Sequence, residues 1–263
     1  TIYDGSCLAW DCAGVCGGDA IVDCFGECGG GAIVDCYGFC GGSAEYDICG
    51  ICEGDAISEE ECYLTDIDGN TYETVEIGEQ VWMAENLKVT HYSDGSEITY
   101  IINDEDWGSY DEGQYGVYDN DPANADVYGN LYNFAVTVDD RGVCPEGWHV
   151  PADAEYTILT DYLGGTSVAG GKMKEEGHEH WNYYSDEITE EATNESGFTG
   201  LPAGYRFGSN GYYFNLGYYG YFWSSSESSS NYAWTRELYY NNSNVYSYDT
   251  NKQCGFSIRC LGD

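Results

Sequence analysis

The sequence predicts an α+β fold, a loop-rich globular domain over residues 63–263 preceded by a disulfide-rich repeat arm over residues 1–62 with little regular secondary structure. Three observations carry this reading. Ten of the thirteen cysteines fall within the first 62 residues. Beyond Tyr63 the cysteines thin out and two-residue alternation of apolar and polar side chains begins. Only one segment has the 3.6-residue apolar period of a helix. A chain of 263 residues has room for two modest domains.

The arm holds Cys7, Cys12, Cys16, Cys24, Cys28, Cys36, Cys40, Cys49, Cys52 and Cys62. This density marks a disulfide scaffold. Cys-x3-Cys and Cys-x2-Cys spacings also suit zinc. However, the segment lacks histidine, is lined with acids, and does not divide its cysteines into fours. Disulfides are therefore preferred, and with them a location outside the reducing cytosol, at the cell surface or secreted. The odd total leaves one cysteine unpaired or engaged with another chain.

The arm repeats every twelve residues: DCAGVCGGDAIV from Asp11, DCFGECGGGAIV from Asp23, DCYGFCGGSAEY from Asp35 and DICGICEGDAIS from Asp47. In the last unit the first cysteine slips to Cys49. Such repetition predicts a ladder of stacked turns stabilised between neighbours, with the glycine pairs supplying positive-φ corners. Burial of so few large apolar side chains falls short of the entropy cost of ordering the arm. The shortfall points to a metal ion, to docking, or to another copy of the chain. Asp11, Asp23, Asp35 and Asp47 recur once per unit, as calcium ligands or as turn caps.

With 47 acidic and 8 basic side chains the formal charge is −39. Nucleic acid is excluded as a partner, because its binding needs Lys and Arg against phosphate. An anionic membrane surface is excluded on the same ground. No apolar run approaches the ~18 residues of a membrane span, so membrane insertion is not expected. The start at Thr1, without a methionine or signal peptide, reads as a mature product or a fragment.

In the second domain, Thr71–Ile77 reads as a strand, Gly78-Glu79 as a turn and Gln80–Met83 as the return. Asp66-Ile67-Asp68-Gly69-Asn70 opens like a calcium loop, but Ile77 occupies the twelfth position, so a hairpin turn is preferred. Asp119-Asn120-Asp121-Pro122 reads as a polar turn. The one convincing helix runs from about Asp153 to Leu163, with Tyr156, Leu159 and Leu163 on one face, Pro151 before it and Gly164-Gly165 after it. Glu237–Tyr240, Asn241–Asn244 and Val245–Tyr248 read as strand, turn and strand.

Several stretches then fall into a known order: Thr65–Tyr72, Ile77–Leu87 (IGEQVWMAENL), Gly147–Pro151 (GWHVP), Thr193–Phe198, Leu201–Arg206 (LPAGYR), Phe222–Ser225 and Gly255–Cys260 (GFSIRC). Over residues 65–263 the chain resembles the Fibrobacter succinogenes major paralogous domain of secreted bacterial modules. Residues 7–62 are similar to the DCxGVCGG-type repeats of bacterial surface proteins. The resemblance implies a C-type-lectin-like fold, distantly similar to formylglycine-generating enzymes, and a Cys144–Cys260 bridge. Cys254 departs from the pattern and becomes the candidate odd thiol.

Enzyme chemistry is not expected. Oxidase activity needs a reactive cysteine pair, and Cys260 is already assigned to structure. Paired carboxylates for glycosidase work do not stand out among 47 acids. The calcium-dependent lectin signature is missing, since Trp181-Asn182 is followed by Tyr183. Glu175–His180, with histidines at 178 and 180, reads as a polar loop in preference to a transition-metal site. The Gly, Tyr, Ser and Asn-rich C-terminal stretch has the composition of a binding surface, with Tyr218, Tyr219, Tyr221, Trp223, Trp234, Tyr239 and Tyr240 as the candidate contact residues. Two functions compete. One is a self-assembling structural protein, a homo-oligomer or homopolymer built through the arm. The other is an adhesion module that presents the aromatic face to polysaccharide or to a surface protein.

Overall fold

The computed structural model describes residues 10–46, 48, 52–54, 63–183 and 185–263. Its contacts divide into two units, Thr1–Cys62 and Tyr63–Asp263.

In the arm, each of the first three units begins with an aspartate whose carboxylate closes a turn. Asp23 Oδ1 accepts from Phe25 N at 3.0 Å and Glu27 N at 2.9 Å, while Oδ2 accepts from Ala32 N at 3.3 Å. Asp11 makes the same three bonds to Ala13, Val15 and Ala20, and Asp35 the first two, to Tyr37 and Phe39. The second glycine of each pair is dictated by this carboxylate. A Cβ on Gly18, Gly30 or Gly42 would lie about 2 Å from the Oδ2 of Asp11, Asp23 or Asp35. The first glycine of each pair takes a positive φ, 69° at Gly29. Asp47 lies outside the described residues.

Cys12–Cys28, Cys24–Cys40 and Cys36–Cys52 are disulfides with a separation of 16 residues, so each joins the first cysteine of one unit to the second cysteine of the next. Cys16 is also disulfide-bonded. Cys7, Cys49 and Cys62 lie outside the described residues. Covalent links between neighbours thus stand in for the core that so short a repeat cannot bury.

The globular unit carries strands β1 (Leu64–Thr65), β2 (Thr71–Tyr72), β3 (Thr74–Ile77), β4 (Gln80–Met83), β5 (Thr99–Tyr100), β6 (Gln114–Gly116), β7 (Leu131–Tyr132) and β8 (Trp148–His149). Strands β9 (Ala203–Arg206), β10 (Tyr213–Leu216), β11 (Tyr219–Glu227), β12 (Tyr232–Tyr239), β13 (Val245–Asn251) and β14 (Leu261–Gly262) follow. Helices α1 (Pro122–Tyr128), α2 (Phe134–Thr137), α3 (Asp153–Tyr162), α4 (Ala169–Met173) and α5 (Asp186–Glu191) are interspersed. The mixed class agrees with the sequence, and α3 matches the expected helix. Four short helices were not expected. Residues 119–122, read as a turn, lead directly into α1, because Asp121 accepts from Ala123 N as its N-cap and Pro122 takes the first position.

The Asp66 turn repeats the arm's device. Asp66 Oδ1 accepts from the backbone N–H groups of Asp68 and Asn70, each at 3.0 Å, and joins β1 to β2 as a hairpin. The largest sheets are β3-β4-β14-β8 and the antiparallel β11-β12-β13. Residues 254–260 thread between them: Phe256 N donates to Tyr132 O, Trp223 N to Ser257 O, Leu87 N to Ile258 O and Met83 N to Cys260 O. The Cys144–Cys260 disulfide fixes the end of this segment. On one side lies a core of Tyr132, Phe134, Trp223, Phe256 and Ile258; on the other, Trp82, Tyr156, Leu159, Phe198 and Leu238 pack together under α3.

Candidate functional site

The recognisable motifs fold inward. Arg259, from GFSIRC, is fully buried, and its guanidinium meets no carboxylate. Nε donates to Asn86 Oδ1 at 2.7 Å, Nη1 to Met83 O at 3.2 Å and to Phe198 O, and Nη2 to Thr199 O at 2.8 Å. Burial pulls its pKa down to about 9. Arg206, from LPAGYR, is equally buried and gathers the carbonyls of Ile101, Ile102 and Gly211. Lys174 donates to the carbonyls of Tyr239 and Asn242, and burial lowers its pKa to about 8. With Arg236 and Lys252, five of the eight cations of the chain are buried. Arg206, Arg259 and Lys174 act as cross-braces that satisfy backbone carbonyls, while Arg236 and Lys252 pair with the carboxylates of Asp153 and Glu227. Their removal from the surface leaves Lys88, Arg141 and Lys172 against the 47 acids.

The aromatic stretch is divided by the pleat. One face of β11-β12-β13 carries Tyr219, Tyr221, Glu237, Tyr239, Tyr246 and Tyr248, by the pairings Tyr221↔Glu237 and Glu237↔Tyr246. The rings run in contact, with Tyr219–Tyr239 and Tyr239–Tyr246 at 4.5 Å and Tyr246–Tyr248 at 5.9 Å between centroids. Trp223, counted among the surface residues from the sequence, lies on this same face but is fully buried, because Phe134 and Phe256 cover that end. Trp234 is half-buried on the opposite face, registered with Asp249. Tyr221 is half-buried and stacked on Phe256. Tyr218 is exposed and meets Tyr240 edge-on at 5.2 Å.

Glu237, which the sequence did not single out, sits 6% exposed within the tyrosine row. Its carboxylate accepts from the Tyr239 hydroxyl at 2.8 Å and from Thr235 Oγ1 at 3.4 Å, with no cation paired to it. Burial raises its pKa. The signal available in the sequence was a lone acid alternating with tyrosines in a strand.

Metal-ligating groups converge at one place among the described residues. Single ligand atoms of Glu175, Glu179 and His180 lie within 4.8 Å of one another. His180 Nδ1 is 2.8 Å from Glu175 Oε1, and both side chains are partly buried. Among the described residues Asp11, Asp23 and Asp35 do not gather into such a group, and the Oδ1 of each accepts from backbone amides. Cys254 is free and buried, its thiol pushed up to about 11 by burial.

The family model described as Fibrobacter succinogenes major domain matches residues 75–261. The chain belongs to this family. The Fibrobacter succinogenes major domain spans β3 to β14, so the braces on Arg206 and Arg259 lie within it. No curated protein and no solved structure matches the chain. No helix of the described residues is long and apolar enough to cross a membrane.

Proposed function

We propose that this chain is a non-catalytic, extracellular structural protein of the bacterial surface that assembles with further copies through its cysteine-rich arm. One observation carries the reading: the arm leaves its large apolar side chains in solvent at a twelve-residue interval. Ile21 and Ile33 are each 75% exposed, and Phe25, Tyr37, Phe39 and Trp10 are exposed with them. Large apolar side chains exposed at a regular interval call for a partner, and a contact between unlike patches on successive copies propagates without closing. The disulfide ladder supports an oxidising compartment. The inward-folded motifs support a structural role for the buried cations, which brace backbone carbonyls and, at Arg236 and Lys252, the carboxylates of Asp153 and Glu227. The lectin-like fold implied by the family resemblance belongs to the same proposal.

Copies this acidic repel one another, so assembly is expected to grow with ionic strength. Sedimentation of the intact chain at about 1 M salt, where the screening length is ~3 Å, should reveal polymers. An Ile21→Ser/Ile33→Ser double variant should remain monomeric. A wild-type chain that stays monomeric at this salt contradicts the proposal. A second reading, adhesion through the tyrosine face, is favoured by Glu237, whose burial without a cationic partner is a cost that a binding surface would explain.

A further inference from the structure

The tyrosine row on β11-β12-β13 does not end at Tyr219. Tyr219 meets Tyr221 at 5.9 Å between centroids, Tyr221 meets Tyr205 of β9 at 5.1 Å, and Tyr205 meets Phe214 of β10 at 5.7 Å. Phe207 stands 6.4 Å beyond Phe214. A continuous band of rings therefore runs from the β9-β10 pair to the edge strand β13. Its ends are open: Phe207 and Phe214 are each 39% exposed, and Tyr248 is 47% exposed. Glu237, the acid seated within it, is buried, and the pleat turns Arg236 and Asp249 to the opposite face. On a chain with 47 acidic and 8 basic side chains, this is a surface where two copies can meet without bringing carboxylates together.

The rings do not offer flat platforms. Tyr239 and Tyr246 stack with 28° between planes and Tyr246 and Tyr248 with 9°, while Tyr221 stacks on Phe256 with 10°. Their faces are spent on one another, so ring edges are the main part left for a partner. A sugar needs an open face to stack on, whereas apolar and aromatic side chains of a protein pack well against edges. The arm exposes side chains of that kind. Phe25 and Phe39 stand in solvent alongside Ile21 and Ile33. The neighbouring carboxylates of Asp23 and Asp35 are drawn onto backbone amides.

We infer that the aromatic band is the seat for the arm of a second copy of this chain. The inference rests on the assembly reading and supplies the second of its two unlike patches. Aromatic side chains with few charges are the composition of an interface core. Because arm and band are different surfaces, the contact is head to tail: each copy gives its arm to one neighbour and its band to another.

Complementation separates this contact from arm against arm. The band variant Phe207→Ser/Phe214→Ser/Tyr248→Ser and the arm variant Ile21→Ser/Ile33→Ser are made in the full chain and sedimented at about 1 M salt. Each should stay monomeric alone, with the wild-type melting temperature. Their equimolar mixture should form a 1:1 dimer that grows no further, since the one live arm and the one live band are then both occupied. If the triple variant melts early, Tyr248→Glu alone, at the exposed end of the row, takes its place. A band variant that polymerises like wild type gives the contact to arm against arm. An arm variant that associates alone gives it to band against band. Either result overturns the inference, as does a mixture that stays monomeric, and all three leave the polymerisation of wild type standing. Monomeric wild type removes the assembly reading and the inference together.

Discussion

Replacing Arg259 by Met tests whether the motif core is a brace. The substitution keeps the side chain's length and apolar stem and removes every donor. Four acceptors lose their partner: Asn86 Oδ1 and the carbonyls of Met83, Phe198 and Thr199. At ~1–3 kcal/mol for each orphaned buried group, the gross loss is ~4–12 kcal/mol. Removing a buried charge returns several kcal/mol of desolvation, which leaves a net destabilisation of about 3–5 kcal/mol. For a unit of this size that lowers Tm by about 6–20 °C. Urea unfolding followed by tryptophan fluorescence reads the right unit, since Trp82, Trp181 and Trp223 are buried in it. Arg259→Lys, which keeps the charge but offers fewer directions of hydrogen bonding, should fall between wild type and Met. If Arg259→Met changes stability by less than about 1 kcal/mol, the carbonyls find other partners and the bracing argument fails.

Glu237 gives a pH dependence of unusual sign. Its folded pKa lies above the ordinary 4.5, so the folded state binds the proton more tightly than the unfolded chain. Its contribution is therefore complete below the unfolded value and is lost as pH rises through the folded one. Glu237→Gln should raise stability at pH 7 and flatten this part of the pH profile; a variant that is less stable than wild type at pH 7 argues against it. In the arm, Asp23→Ala frees the amides of Phe25, Glu27 and Ala32. Their hydrogen exchange should accelerate about tenfold, and unchanged rates would remove the capping role. Cys254, buried and with its thiol raised to about 11, should resist iodoacetamide in the native chain and react after denaturation without reductant. Rapid native labelling of its peptide would contradict that environment.

Much of this architecture was legible in the residues, for stated physical reasons. The twelve-residue period exposed the ladder because each unit repeats one aspartate turn, and α3 and the β3–β4 hairpin followed from apolar spacing and glycine positions. The short helices escaped because four to seven residues hold too few periods to register: α2 is buried along Phe134, Val136 and Thr137 and α4 along two glycines. The aromatic surface was misjudged at Trp223 for a different reason. In YGYFWSS both alternating registers are aromatic, so the sequence does not say which ring is covered; the Phe256 segment, some 30 residues later, decides it. The braces were similarly hidden. An arginine in GFSIRC reads as exposed until the loops at Phe198 and Asn86 arrive around it. Scarcity was the available clue, since a chain with eight cations has few to spare for its surface.

The assembly reading is tested most directly by electron microscopy of the purified full-length chain under oxidising conditions, with salt raised to screen its charge. Regular polymers that disperse when the disulfide ladder is reduced are the expected result. A field of uniform single particles before reduction would contradict it.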